Sequence, residues 1–120
     1  MVRMDLNISE CGGQAVVTLS GELDVADAAR VVAALAVTVV RQRQIIVDLA
    51  GLEFIDSSGL AALIRIRKQA RHAGGDVLIA APQHQVLRVL AVTRMLDDFS
   101  IYASVDEAAG RSRLTSVPVR

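Results

Sequence analysis

A chain of 120 residues is near the usual length of one domain, long enough to bury a full core and short of two. Apolar residues make up 52% of it but aromatic residues only 2%, which predicts a Val, Leu, Ile and Ala core in α/β layers, without aromatic platforms for single-stranded nucleic acid. The 13 basic residues balance the 13 acidic ones, so no global field draws nucleic acid or an acidic surface.

Cys11 is the single cysteine and has no disulfide partner in the chain, and no basic start, apolar run and small-residue cleavage site mark a signal peptide. The longest weakly polar run, Val31 to Val40, is too short to span a bilayer. A cytoplasmic protein without membrane insertion is therefore expected.

Met4, Leu6 and Ile8 alternate with polar neighbours, the period of a half-buried strand, and "QAVVTLSG" follows a Cys11-Gly12-Gly13 turn. These predict an N-terminal β-hairpin. Asp24 can cap a helix starting near Val25, with Asp27 also suiting a helix N-terminus. Val25, Ala28, Ala29, Val32, Leu35, Ala36 and Val39 form its expected core stripe, while Val31, Ala33, Ala34 and Val37 would leave an apolar outer face open to a partner.

"IIVDLAG" is a short, continuous β-branched run ending in a polar turn, the mark of a central parallel strand buried on both faces. "GLAALIRIRKQARHAGG" predicts a helix burying Leu60, Leu63, Ile66 and Ala70, with Arg65, Lys68 and Arg71 outside and Gly74-Gly75 as its stop. "DVLIAAP" is a further strand. Val86, Leu87, Val89 and Leu90 supply the stripe of a third helix, "FSIYAS" is a fifth strand, and Ser104 with Glu107 opens a short fourth helix.

The order β-β-α-β-α-β-α-β-α makes a single α/β domain with a mixed sheet, an N-terminal hairpin and about four helices, spanning residues 1–110. Residues 111–120 have no clear period and read as a flexible tail. Which sheet face the helices cover is not set by the pattern.

The chemistry concentrates in "EFIDSSGLAAL", where an acid, two serines and a glycine separate two apolar runs. Catalysis fits poorly: the pattern G-x-S-x-G is absent, and His72 lies at the far end of a helix roughly 20 Å long at about 1.5 Å per residue. His84 opens a different helix. One cysteine and two separated histidines offer no metal-ligand cluster, and no Walker or dinucleotide phosphate loop is present, so no cofactor is expected. The serines can cap the helix, and a phosphate on either would meet the positive helix N-terminus. Gly59 would ease close approach by another protein. Local physics alone favours capping over modification.

"LSGELDVADA", "IIVDLAGLEFIDSSGLAAL" and "VLRVLAVTRMLDDFSIYASVDEA", in this order and spacing, closely resemble the anti-sigma factor antagonists, small STAS-domain proteins of bacteria. The match runs from about Leu6 to Ala109, and "DSSGL" after "IIVDLAG" is its most specific element. The resemblance implies a non-enzymatic STAS domain that binds an anti-sigma factor, typically a serine kinase, and so frees a sigma factor. It implies phosphorylation at Ser58 rather than Ser57, after which the complex separates, and a metal-dependent PP2C-like phosphatase that restores binding. Asp24, Asp56, Ser57, Gly59 and Leu60 are the implied partner-binding residues.

Arg94 departs from the family pattern, standing where a glycine commonly ends the third helix. Three alternatives stay open: a STAS scaffold or sensor subunit of a larger regulatory or transport assembly, a homodimer, and a magnesium-nucleotide site built from Asp24, Asp56 and Ser58.

Overall fold

In the computed structural model, residues 3–11, 13–94 and 99–114 are described. Their order is β1 (Asp5–Cys11), β2 (Gln14–Leu23), α1 (Val25–Arg41), β3 (Gln44–Ile55), α2 (Ser57–His72), β4 (Asp76–Ala80), α3 (His84–Val92), β5 (Ser100–Tyr102) and α4 (Val105–Leu114). The sheet runs β1-β2-β3-β4-β5, with β1 antiparallel to β2 and every later neighbour parallel. The expected hairpin and mixed sheet are both present.

Each parallel strand pairs with the next one in sequence, so α1, α2 and α3 cross over in the same sense and land on one face. That face is the main core: Val31, Leu35 and Val39 of α1, Leu60, Leu63 and Ile66 of α2, and Val86 and Leu90 of α3 pack on Val17, Leu19, Ile45, Val47 and Ile79. α4 covers the other face, where Ala108 packs with Ile46, Leu78 and Ala80. Ile45, Ile46 and Val47 are all fully buried, as expected for a strand in the middle of the sheet.

β3 continues past Gly51 as far as Ile55, beyond its last pair with β4 at Asp48 and Ala80. Backbone carbonyls on that overhang need donors. Gln83 and Gln85 supply them, donating Nε2 to the oxygens of Ala50 at 2.7 Å and Glu53 at 3.1 Å. These bonds tie the start of α3 to the end of β3 just ahead of α2.

The buried stripe of α1 is rotated from the expected one. Val31, Leu35, Thr38 and Val39 face inward, while Val25 is 72% exposed and Ala29 and Ala36 face solvent. Twelve of its seventeen positions are Ala or Val, so more than one apolar stripe can be drawn along it, and packing against the sheet and α2 selects the one through Val31, Leu35 and Val39. Thr38 tolerates burial by donating its hydroxyl to the Ala34 carbonyl at 3.4 Å. Ala33 and Val37 do remain exposed, as the sequence suggests.

α2 buries Leu60, Leu63, Ile66 and Ala70 as predicted, and Ser104 accepts the Glu107 N–H at 3.0 Å to open α4. Arg94 lies just beyond α3 at φ +63°, so the left-handed position commonly held by glycine is here held by arginine. α4 extends to Leu114, four residues past the expected domain limit at 110, and residues 115–120 of the expected tail lie outside the described residues.

Candidate functional site

β2 and β3 end side by side, pairing Glu22 with Phe54 and Leu23 with Ile55, and the Asp56 N–H donates to the Leu23 carbonyl at 3.2 Å. Because both strands run parallel and each feeds directly into a helix, α1 and α2 begin together at the C-terminal edge of the sheet. In open α/β sheets this edge is the usual position for a functional site.

Each helix is capped by the acid that precedes it. Asp24 accepts the Ala26 N–H at 3.0 Å, and Asp56 accepts the Gly59 N–H at 2.9 Å. Both residues have the extended backbone of an N-cap, at φ −127° and −105°. Among the described residues no cluster of three or more His, Cys, Asp or Glu side chains is placed to hold a metal ion.

The capping of α2 differs from the sequence expectation. The serines do not cap it; Asp56 does, which makes Ser57 and Ser58 its first two helical residues. Neither serine hydroxyl makes a hydrogen bond among the described residues. Ser57 is exposed. Ser58 is half-buried and lines an open groove of about 210 Å³ between α1 and α2, shared with Ala28, Ala29, Val32, Ala61, Ala62 and Arg65.

Gly59 and Leu60, two of the expected partner-binding residues, both face inward. A Cβ on Gly59 would stand 2.7 Å from Ile55 Cγ1, 2.8 Å from Leu23 Cγ and 2.9 Å from the Leu23 carbonyl oxygen. The absent side chain lets the first turn of α2 close onto the ends of β2 and β3, where Leu60 is buried in the main core. These two residues fix the height of the serines from below.

The structure adds apolar surface that residue patterns alone did not assign to the site. Phe54 is 47% exposed at the end of β3, and Val25 projects from the first position of α1. An aromatic residue two positions before the cap, in a chain with so few aromatics, was the available signal. Arg65 joins the Ser58 groove, whereas Lys68 lines a separate one with Ile64, Arg67, Arg71 and Phe99. His72 lies at the opposite end of α2, His84 at the start of α3, and both are exposed.

The family model for the STAS domain matches residues 5–108. The chain belongs to the STAS domain family. It is 28% identical over 116 residues to BtrV of Bordetella bronchiseptica, a protein named as an anti-sigma factor antagonist, covering 96% of this chain and 99% of that one. An anti-sigma factor antagonist from Mycobacterium paratuberculosis has the same fold, with a TM-score of 0.84 at 24% identity over 92% of this chain and 95% of the other.

SpoIIAA, an anti-sigma factor antagonist solved in its unphosphorylated form, superposes with a TM-score of 0.80 at 22% identity, over 91% of this chain and 96% of its own. The phosphorylated form of Bacillus SpoIIAA superposes with a TM-score of 0.72 at 21% identity, over 90% of this chain and 99% of its own. Among the described residues no helix is long and apolar enough to cross a membrane.

Proposed function

We propose that this chain is an anti-sigma factor antagonist that works by partner switching. In the unmodified state the edge formed by Asp24, Val25, Phe54, Ser57 and the Ser58 groove docks an anti-sigma factor in the cytoplasm and so releases a sigma factor. The anti-sigma factor is itself a serine kinase: Ser58 Oγ takes the γ-phosphoryl group of ATP, the hydroxyl proton is lost and ADP leaves. A metal-dependent phosphatase hydrolyses the ester and restores the docking surface. The chain contributes a hydroxyl and a surface, and the chemistry belongs to its partners.

The observation that carries this reading is the unoccupied Ser58 hydroxyl. Asp56 performs the capping, so the helix does not require Ser58 as a cap, and Ser58 instead borders a groove rimmed by small apolar residues. A phosphate there adds about −1.5 to −2 charge at neutral pH beside Asp56 and carries a desolvation cost if that surface is in contact. A 100-fold loss of affinity needs only about 2.7 kcal/mol, well within the reach of such a charge at an interface.

The test is affinity capture from the native lysate on wild type, Ser58→Ala and Ser58→Asp chains, with phosphosite mapping of the wild type. Capture of a kinase by wild type and Ser58→Ala, its loss with Ser58→Asp, and phosphate on Ser58 are expected. A stable multiprotein assembly held equally by all three chains would point to a scaffold and overturn the proposal.

A further inference from the structure

Ser58 shares its groove with one cation. Arg65 is seven positions further along α2, which at 3.6 residues per turn returns it to within about 20° of the same line on the helix surface. The axial separation is roughly 10 Å at about 1.5 Å per residue, a span that an extended arginine and a phosphoserine cover between them. Helical Cα–Cβ bonds tilt toward the helix N-terminus, which starts the Arg65 stem in the direction of Ser58.

The space between the two is clear. Ala61 and Ala62 occupy the intervening turns of α2, and Ala28, Ala29 and Val32 form the facing wall on α1, so no long side chain obstructs the groove. Arg65 is also uncommitted. Among the described residues Arg30 pairs with Asp27, Arg41 with Glu10 and Arg67 with Asp76, while Arg65 makes no ion pair or hydrogen bond.

Building on the phosphorylation of Ser58 proposed above, we infer that Arg65 is the internal receptor for the Ser58 phosphate, and that the pair lies along the α1–α2 groove and covers it. The guanidinium offers two parallel N–H donors that match phosphate oxygens, a pairing stronger than a neutral hydrogen bond. Phosphorylation then acts in two ways. It adds negative charge next to Asp56, and it removes the small-residue groove from the docking surface by laying a charged pair over Ala28, Ala29 and Val32.

The test uses the full chain carrying phosphoserine at position 58, installed by genetic code expansion, so no kinase is needed. The 31P resonance is titrated in wild type, Arg65→Gln, Arg65→Lys and Lys68→Gln backgrounds. A facing guanidinium favours the dianion, so the second ionisation of the phosphate is expected to lie lower in wild type than in Arg65→Gln by about half a unit or more. Arg65→Lys, which keeps the charge, should recover most of that difference, and Lys68→Gln should match wild type.

Coincident titrations of wild type and Arg65→Gln would overturn the inference. So would an equal displacement in Lys68→Gln, which would mean a general field of the basic helix rather than a specific pair. The result is independent of partner switching: a failure of that reading appears as indifference of partner capture to Ser58, and a failure of this one as an unperturbed phosphate.

Discussion

The Asp56 carboxylate accepts the Gly59 backbone N–H at 2.9 Å, reaching past Ser57 and Ser58 without engaging either hydroxyl. This contact divides the labour within "DSSG". The acid starts the helix, the glycine seats it, and the serines are left facing the surface.

Removing the cap should therefore cost stability where removing the serines does not. Asp56→Ala is expected to destabilise the fold by about 1 kcal/mol, with Asp56→Asn close to wild type, because asparagine can accept the same bond. Urea denaturation followed by circular dichroism measures both. Ser57→Ala and Ser58→Ala should each fall within about 0.5 kcal/mol of wild type, the range of a surface substitution that breaks no cap. A cost above about 1 kcal/mol for either serine would show that it carries a structural bond after all.

Gly59→Ala sets two effects against each other. Alanine is favoured over glycine inside a helix by about 0.8–1.0 kcal/mol, but here its Cβ would lie inside contact distance of Ile55, Leu23 and the Leu23 carbonyl oxygen. Overpacking of this kind costs about 1–3 kcal/mol, and a backbone oxygen yields less readily than a flexible side chain. Net destabilisation is expected in thermal and chemical denaturation, together with shifts of the Ser57 and Ser58 amide resonances as the first turn of α2 lifts.

Arg94→Gly should do the opposite. Arg94 is exposed and its φ of +63° lies in the left-handed region, where a side chain costs about 1–2 kcal/mol that glycine does not incur. After the extra freedom glycine gives the unfolded chain, a gain of roughly 0.5–1 kcal/mol is expected. Differential scanning calorimetry would show it as a raised midpoint, and an unchanged or lowered midpoint would mean that Arg94 makes a compensating contact.

The places where residue patterns suffice and where they do not have separate physical causes. The start of β3 and the buried stripe of α2 were legible because a β-branched run and the spacing of Leu60, Leu63, Ile66 and Ala70 admit one reading each, whereas the continuation of β3 from Gly51 to Ile55 was not, because a glycine there reads as a turn. The angle of α1 was not legible either, because twelve of its seventeen residues are Ala or Val and more than one apolar stripe can be drawn through them. Asp56 and the serines are all good caps by type, so only the position of the first helical residue decides among them. The inward role of Gly59 depends on Leu23 and Ile55, residues from two strands that the sequence does not show meeting. Phosphorylation of Ser58 was suggested by family resemblance rather than by spacing; what the fold contributes is a hydroxyl left open beside a groove.

The most direct measurement is the affinity of the purified anti-sigma partner, recovered by capture, for the unmodified chain and for the same chain carrying phosphate on Ser58 alone. Isothermal titration at matched ionic strength removes differences in screening. Tight binding of the unmodified chain is expected, with a loss of about 100-fold or more on phosphorylation, equivalent to about 2.7 kcal/mol, and with the fold and its amide spectrum otherwise retained. Equal affinity of the two forms would contradict the switch and leave Ser58 as an ordinary surface residue of a STAS scaffold.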